Sequence, residues 1–199
     1  MADKNKEKMS VAASVFEWVE TFCSALFVVV LLFTFVCRFV TVDGESMLNT
    51  FHHGDRLIIS DLFYTPKTGD VVVVQDANEP HFEGPIIKRV IATAGETVDI
   101  DPFTWTVTVT DTEGNKRVLD ETYVNRVDAP MTLLANESFY YTNAIIMEEY
   151  PHTVAEGCVF VMGDNRNASL DSRFVGDIDE RKILGKAYVR VLPNPEIGF

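Results

Sequence analysis

The sequence predicts a mainly β protein: an N-terminal transmembrane helix, then a barrel-like antiparallel β domain carrying a smaller inserted β-region. Three observations lead there. An uncharged run, TFCSALFVVVLLFTFVC, occupies Thr21–Cys37. Beyond Thr41 the apolar residues come in short β-branched bursts bounded by Gly, Pro and Asp, the pattern of strands. From about residue 101 to 156 the texture changes to Thr, Asn, Tyr and acids, with fewer sustained apolar runs.

The first element is the helix. A run the length of Thr21–Cys37 rises about 26 Å as helix, close to one hydrocarbon thickness, and Val15, Phe16, Trp18, Phe39 and Val40 extend it on both sides. Cleaved secretory leaders have apolar cores of roughly 7–15 residues and end in a small-x-small site. Here the run is longer, and the RFVTVDG beyond it offers no good small pair. An uncleaved anchor is expected. Lys4, Lys6 and Lys8 precede it, while Asp43 and Glu45 come after, with Arg38 at the far edge. The positive-inside rule then puts the N-terminus in the cytoplasm and the rest on the outer face of a single-pass cell-membrane protein. The expected division is a cytoplasmic segment 1–20, an anchor 21–40 and an extracytoplasmic domain 41–199, with the inserted region at about 101–156.

Strands are expected at DRLIIS (Asp55–Ser60), DVVVVQ (Asp70–Gln75) and PIIKRVIA (Pro85–Ala92). TWTVTVT (Thr104–Thr110) alternates at period two, and Gly114-Asn115 just after it marks a hairpin turn. CVFVMGD (Cys158–Asp164) and GKAYVRVLP (Gly185–Pro193) complete the set, with a short helix expected in DIDERKILG (Asp177–Gly185). At 47% hydrophobic residues the chain can build a packed core even with the anchor set aside.

The formal net charge of −13 works against nucleic-acid binding, which needs clustered Lys and Arg for phosphates. Cys23, Cys37 and Cys158 form neither a disulfide framework nor a metal pattern and read as small buried hydrophobes. No metal and no cofactor is expected.

Three stretches carry chemistry. Ser46, in GESMLNTFHHGD (Gly44–Asp55), lies nine positions beyond Cys37, just outside the anchor. A serine hydroxyl needs a base to act as a nucleophile. His52, His53, His81 and His152 all sit beside polar or loop residues and read as surface histidines. A lysine serves instead if burial lowers its pKa by several units. In PIIKRVIA, period two places Lys88 on one face between Ile86 and Val90, which fits a buried amine and equally a side chain snorkelling at an edge. The third stretch, GDNRNASLDSR (Gly163–Arg173), packs turn formers and charges at the end of an apolar strand, where site residues collect. Asp164, Arg166, Asp171 and Arg173 also fit a salt-bridged turn that only holds the fold, and Ser169 is placed to donate a hydrogen bond to a neutral lysine.

The order of anchor, GESM, KRVIATAGE and GDNRNASLDSR resembles the bacterial type I signal peptidases, over nearly the whole chain. Those are membrane-anchored serine proteases that use a Ser–Lys dyad to cut signal peptides from exported preproteins. The resemblance implies Ser46 as nucleophile, Lys88 as general base and Ser169 as the residue orienting the lysine. It also implies a supporting polar network of Arg89, Asp164, Asp171 and Arg173, and a large barrel-like β domain with a smaller inserted one. Where some members carry a serine that helps hold the oxyanion, this chain has Gly44, so the oxyanion hole should rest on backbone N–H groups, including that of Ser46. The chain departs from the family at Asn49, where proline is usual, at Phe51, Ala94 and Glu96. The implied partners are secretory preproteins with small residues at −1 and −3, and membrane lipid, which Met47 and Leu48 would suit. The alternative is an anchored, non-catalytic β-domain that binds envelope partners.

Overall fold

The computed structural model describes residues 2–35, 38–80, 82, 84–101, 103–125 and 150–199. Two compact units divide the chain, Met1–Arg38 and Phe39–Phe199.

The first unit is the helix α1 (Ala2–Phe35). Its stretch Ala13–Leu31 is long and apolar enough to cross a membrane. Ala, Lys, Glu and Met at the start of the chain are good helix formers, so the helix reaches well before the uncharged run. Its far end differs from expectation. Phe39 and Val40 do not extend the helix but belong to strand β1 (Arg38–Thr41).

In the second unit, the main sheet adds β2 (Arg56–Ser60), β3 (Val71–Val74), β4 (Ile86–Thr93), β9 (Cys158–Met162), β10 (Ile178–Asp179), β11 (Ile183–Leu192) and β12 (Glu196–Ile197). Its order is β1-β2-β11-β3-β4-β9-β10, with β12 on β11. The long strand β11 joins the halves, since its first part pairs antiparallel with β3 and its later part with β2. Both faces are covered. All four valines of β3 are buried, with Val71 and Val73 in one apolar cluster and Val72 and Val74 in another. That explains why the segment reads as a continuous apolar run.

A second sheet has the order β7-β6-β5-β8, built from β5 (Thr97–Ile100), β6 (Val107–Thr110), β7 (Lys116–Val118) and β8 (His152–Thr153). The hairpin expected at Gly114-Asn115 joins β6 to β7, and the Asp111 N–H donates to Asn115 O at 3.0 Å across its turn. Val98, Trp105, Val107 and Val109 share a buried cluster with Ile91, Phe160 and Met162 of the main sheet. Residues 126–149, within the span expected as the insert, lie outside the described residues. The helix expected in Asp177–Gly185 is one 3-10 turn, Glu180–Lys182, between β10 and β11.

The cysteine expectation fails for those described. Cys23 is exposed on α1, and Cys158 is half-buried where β9 pairs with the end strand β10. Cys37 lies outside the described residues.

Gly185 sits where β11 passes from β3 to β2. A Cβ there would lie 2.8 Å from the carbonyl carbon and oxygen of Ser60. Gly185→Ala should therefore lower unfolding free energy by about 1–3 kcal/mol, the usual cost of overpacking. Denaturant unfolding of the detergent-solubilised protein measures it, and an unchanged midpoint would contradict the close approach.

Candidate active site

Ser46 lies in the loop between β1 and β2, and the residues immediately C-terminal to the serine hold that loop in place. Met47 and Phe51 are fully buried in the cluster formed by Leu57, Ile59, Val71 and Val73. Met47 is thus a core plug and not, as expected from its position, a contact for peptide or lipid. Hydrogen bonds Leu48 N–H to Glu45 O (3.2 Å) and Phe51 N–H to Met47 O (2.8 Å) shape the turn around the half-buried serine.

Lys88 projects from β4, paired across to Val72 of β3. Only 3% of it is exposed. Its strand neighbours Ile86 and Val90 both contribute to one apolar cluster, so of the two sequence readings the structure has the buried amine rather than the snorkelling one. Lys88 Nζ lies 2.7 Å from Ser46 Oγ and donates to its neighbour Ile87 O at 3.0 Å. Among the described residues it forms no ion pair. The nearby carboxylates already have arginines: Arg89 binds Asp164 through Nε (2.9 Å) and Nη2 (2.7 Å), and Arg173 binds Asp171 through Nε (2.8 Å) and Nη2 (2.9 Å). Burial pushes the Lys88 amine down from 10.5 to about 8; the Arg173 charge adds to the shift, while the Asp171 and Asp164 carboxylates oppose it.

The stretch Gly163–Arg173 wraps this pair. Asp171 caps the short helix Ser172–Val175. Burial alone would raise its carboxyl pKa. The Arg173 charge and hydrogen bonds from Arg173, Ser169 and the Gly163 N–H outweigh that and hold it below the ordinary value. Ser169 departs from expectation. Its hydroxyl donates to Asp171 Oδ2 at 2.6 Å, and no hydrogen bond joins it to Lys88. The ionised carboxylate is the stronger acceptor, so the single hydroxyl proton goes there. Asp164 also accepts from the Thr50 hydroxyl, tying this stretch to the serine loop.

Sequence reasoning passed over three residues here. Asn165 donates through its backbone N–H to Ser46 O (3.0 Å) and through Nδ2 to Glu45 O (3.0 Å). Glu121 forms the ion pair that neutralises the fully buried Arg166, and the Tyr123 ring lies 4.0 Å beneath the Arg89 guanidinium. Asn165 stood inside a quoted stretch; Glu121 and Tyr123 carry no local signal. The histidines divide. His52 and His53 are exposed, as expected, with His53 3.2 Å from Asp43. His152 is half-buried and bonded to Asp177 at 2.8 Å, so it is not a simple surface residue. His81 lies outside the described residues.

An open cleft of about 750 Å³ runs past the serine and lysine, lined by Val40, Thr41, Gly44, Pro85, Ile87 and Leu170 among others. A second cleft of about 500 Å³ lies behind the serine loop, where Arg89 and Arg190 reach it with their charges already paired. Among the described residues no cluster of His, Cys, Asp and Glu could hold a metal ion.

The site sets a half-buried hydroxyl against a buried amine at an open cleft on the β domain, and a hydroxyl nucleophile needs such a base within hydrogen-bond reach. Residues 15–192 match the family model described as signal peptidase, peptidase S26. The chain is 30% identical to a probable signal peptidase I-2 of Synechocystis over 92% of its own length and 77% of that protein. It is also 30% identical to signal peptidase IB of Staphylococcus aureus, over 92% of each chain. A signal peptidase I structure from Enterococcus faecalis aligns with 62% of the chain and 97% of its own, at 24% identity and a TM-score of 0.40. The chain belongs to the signal peptidase family, peptidase S26, and is an enzyme of the type I class, whose work is signal-peptide removal.

This geometry has two measurable consequences. A Cβ at Gly163 would lie 2.2 Å from Ser169 Oγ and 2.5 Å from Ser46 O, so Gly163→Ala must displace the serine loop. Cleavage should fall about a hundredfold, as for a displacement of about 1 Å at reacting groups; a variant as active as wild type would show that the loop yields freely. The second concerns linkage. The folded pKa of Lys88 lies below the unfolded value, so the charged form costs the fold stability below about pH 8, and the cost disappears as pH rises to 10.5. The stability of Lys88→Met relative to wild type should thus be greater at pH 7 than at pH 10.5, by about 3 kcal/mol for the full shift. Denaturant unfolding of both proteins at the two pH values checks it; a pH-independent difference would place the lysine in water.

Proposed function

We propose that Ser46 is the nucleophile and Lys88 the general base of signal-peptide cleavage. The observation that carries this reading is the 2.7 Å approach of a buried amine, which forms no ion pair among the described residues, to a serine hydroxyl at the cleft. With Lys88 neutral, the Ser46 O–H donates to the Nζ lone pair. As Oγ bonds to the scissile carbonyl carbon, its proton passes to Nζ. The developing oxyanion is met by the Ser46 N–H, which makes no hydrogen bond among the described residues, with Gly44 supplying no side-chain donor. Lys88 then gives its proton to the leaving amine as the C–N bond breaks. A water, deprotonated by the same amine, releases the acyl group. No cofactor takes part. Arg89, Asp164, Asp171 and Arg173 hold the two stretches around the dyad, and Ser169 acts through Asp171.

The substrate is a preprotein whose cleavage segment enters the cleft as an added strand beside Val40–Thr41 and Pro85–Ile87. Residues −1 and −3 of such a strand point the same way, so small side chains are required at both. The helix α1 anchors the chain once in the membrane, with the N-terminus cytoplasmic and 41–199 on the outer face against lipid. The segment at about 101–156 is a smaller β insert in that domain. Family membership and the apolar stretch Ala13–Leu31 support the anchor; Lys4, Lys6 and Lys8 support its orientation.

The test is cleavage of a model preprotein in detergent. Ser46→Ala should be inactive. Lys88→Arg should lose about 10²–10⁴-fold or more, because a guanidinium stays protonated. The wild-type rate should rise with pH and level off above about 8, as the amine loses its proton. Leu in place of Ala at −1 should abolish cutting. Activity in Ser46→Ala, or a flat rate from pH 5 to 9, would sink the dyad.

A further inference from the structure

The Glu45–Ser46 peptide is trans. In a planar trans peptide the C=O and the N–H point in opposite directions. Whatever grips the Glu45 carbonyl therefore aims the Ser46 N–H. Two donors grip it: the Leu48 N–H within the turn (3.2 Å) and Asn165 Nδ2 from the other side of the site (3.0 Å). The next carbonyl, that of Ser46, accepts from the Asn165 backbone N–H at 3.0 Å. One residue thus holds the peptide planes on both sides of the Ser46 Cα.

Upstream of Ser46, among the described residues, the Gly44 N–H donates to His53 Nδ1 at 3.4 Å. Asp43, Gly44 and Glu45 are exposed, and Gly44 has a φ of 87°. Rotation of the Glu45–Ser46 plane would redirect the Ser46 N–H, and the hydrogen bonds on the Glu45 carbonyl oppose it. Asn165 itself is 6% exposed and is held in turn. Asn125 donates to its Oδ1 at 3.5 Å, which assigns the amide so that the NH₂ end faces Glu45. The two asparagines are locked by a parallel bridge, with the Asn125 N–H on Asp164 O (2.9 Å) and the Arg166 N–H on Asn125 O (3.0 Å).

We infer that Asn165 is the positioning residue of the oxyanion hole: by holding the Glu45 carbonyl, it keeps the Ser46 N–H aimed at the cleft. This rests on the Ser46–Lys88 reading, and deepens it. Asn165 does not touch the substrate, and its effect is confined to the step in which the carbonyl oxygen gains charge.

The test uses Asn165→Asp and Asn165→Ala in the full chain. Asp keeps the shape but removes the donor and sets a carboxylate against the carbonyl. In both variants kcat should fall about tenfold or more, toward the loss seen when an oxyanion donor is removed, while KM stays within about threefold. A peptide aldehyde should weaken in parallel with kcat, because its carbonyl carbon bonds to Ser46 Oγ and leaves its oxygen in the hole. An uncleavable peptide of the same sequence should bind as to wild type, and the pH at which the rate levels off should not move. Unchanged kcat, a rise in KM alone, or unchanged aldehyde affinity would overturn the inference. A shifted pH profile would instead assign Asn165 to the lysine, and loss of cooperative unfolding in both variants would make it a fold residue only; either result also overturns it. Failure of the dyad reading looks different: cleavage then survives Ser46→Ala, and wild type forms no aldehyde adduct.

Discussion

Lys88 is a buried amine with no carboxylate of its own among the described residues, and much of the site's arrangement concerns that fact. Two acids near enough to influence it, Asp171 and Asp164, are each engaged by an arginine through paired hydrogen bonds. Had either been free, its charge would have stabilised the ammonium and kept the amine protonated. Burial outweighs the attraction that Asp171 and Asp164 still exert and brings the amine down to about 8. Buried pairs of this kind add little net stability, but removing one partner leaves an unmatched charge at large cost. Their value here is that Arg173, beside Asp171, works against the pull of that acid on the lysine.

The surrounding fold makes that burial possible. The main sheet is covered on both faces, and the serine loop is pinned by Met47 and Phe51, which fill the same cluster as β2 and β3. A polar stretch from Gly163 to Arg173 then closes over the loop from the opposite side. Contact is so tight at Gly163 that no side chain fits. Apolar packing thus sets the position of the loop, and the hydrogen bonds from Asn165 to Glu45 O and from the Thr50 hydroxyl to Asp164 set its orientation. Trp105 of the β5–β6 connection and Val107 and Val109 of β6 join the cluster with Phe160 and Met162, which backs the strand leading into Gly163.

Much of this was legible in the residues. The strands around Arg56–Ser60, Val71–Val74, Ile86–Thr93 and Cys158–Met162 arise from β-branched runs bounded by turn formers, because such side chains suit a pleated, buried surface. Strand β5 (Thr97–Ile100) was not anticipated, since four residues with one acid give little alternation to read. Both ends of α1 lie nearer the N-terminus than expected: polar residues with good helix propensity continue it toward the start of the chain, and sheet pairing takes Phe39 and Val40 from its far end.

The sequence by itself determined the order of the parts: an apolar helix, a serine, a lysine on a strand with aliphatic neighbours, and a charged turn. These are properties of composition and period, which short stretches of chain carry intact. Only the tertiary structure decided which partner each polar group takes. Ser169 gives its proton to Asp171 rather than to Lys88, Met47 turns into the core, and Asn165 reaches back to Glu45 across a separation of 120 positions. Each outcome is a competition among donors and acceptors brought together from distant parts of the chain. Local sequence cannot settle such a competition, because it depends on distances that exist only once the sheet has closed around the site.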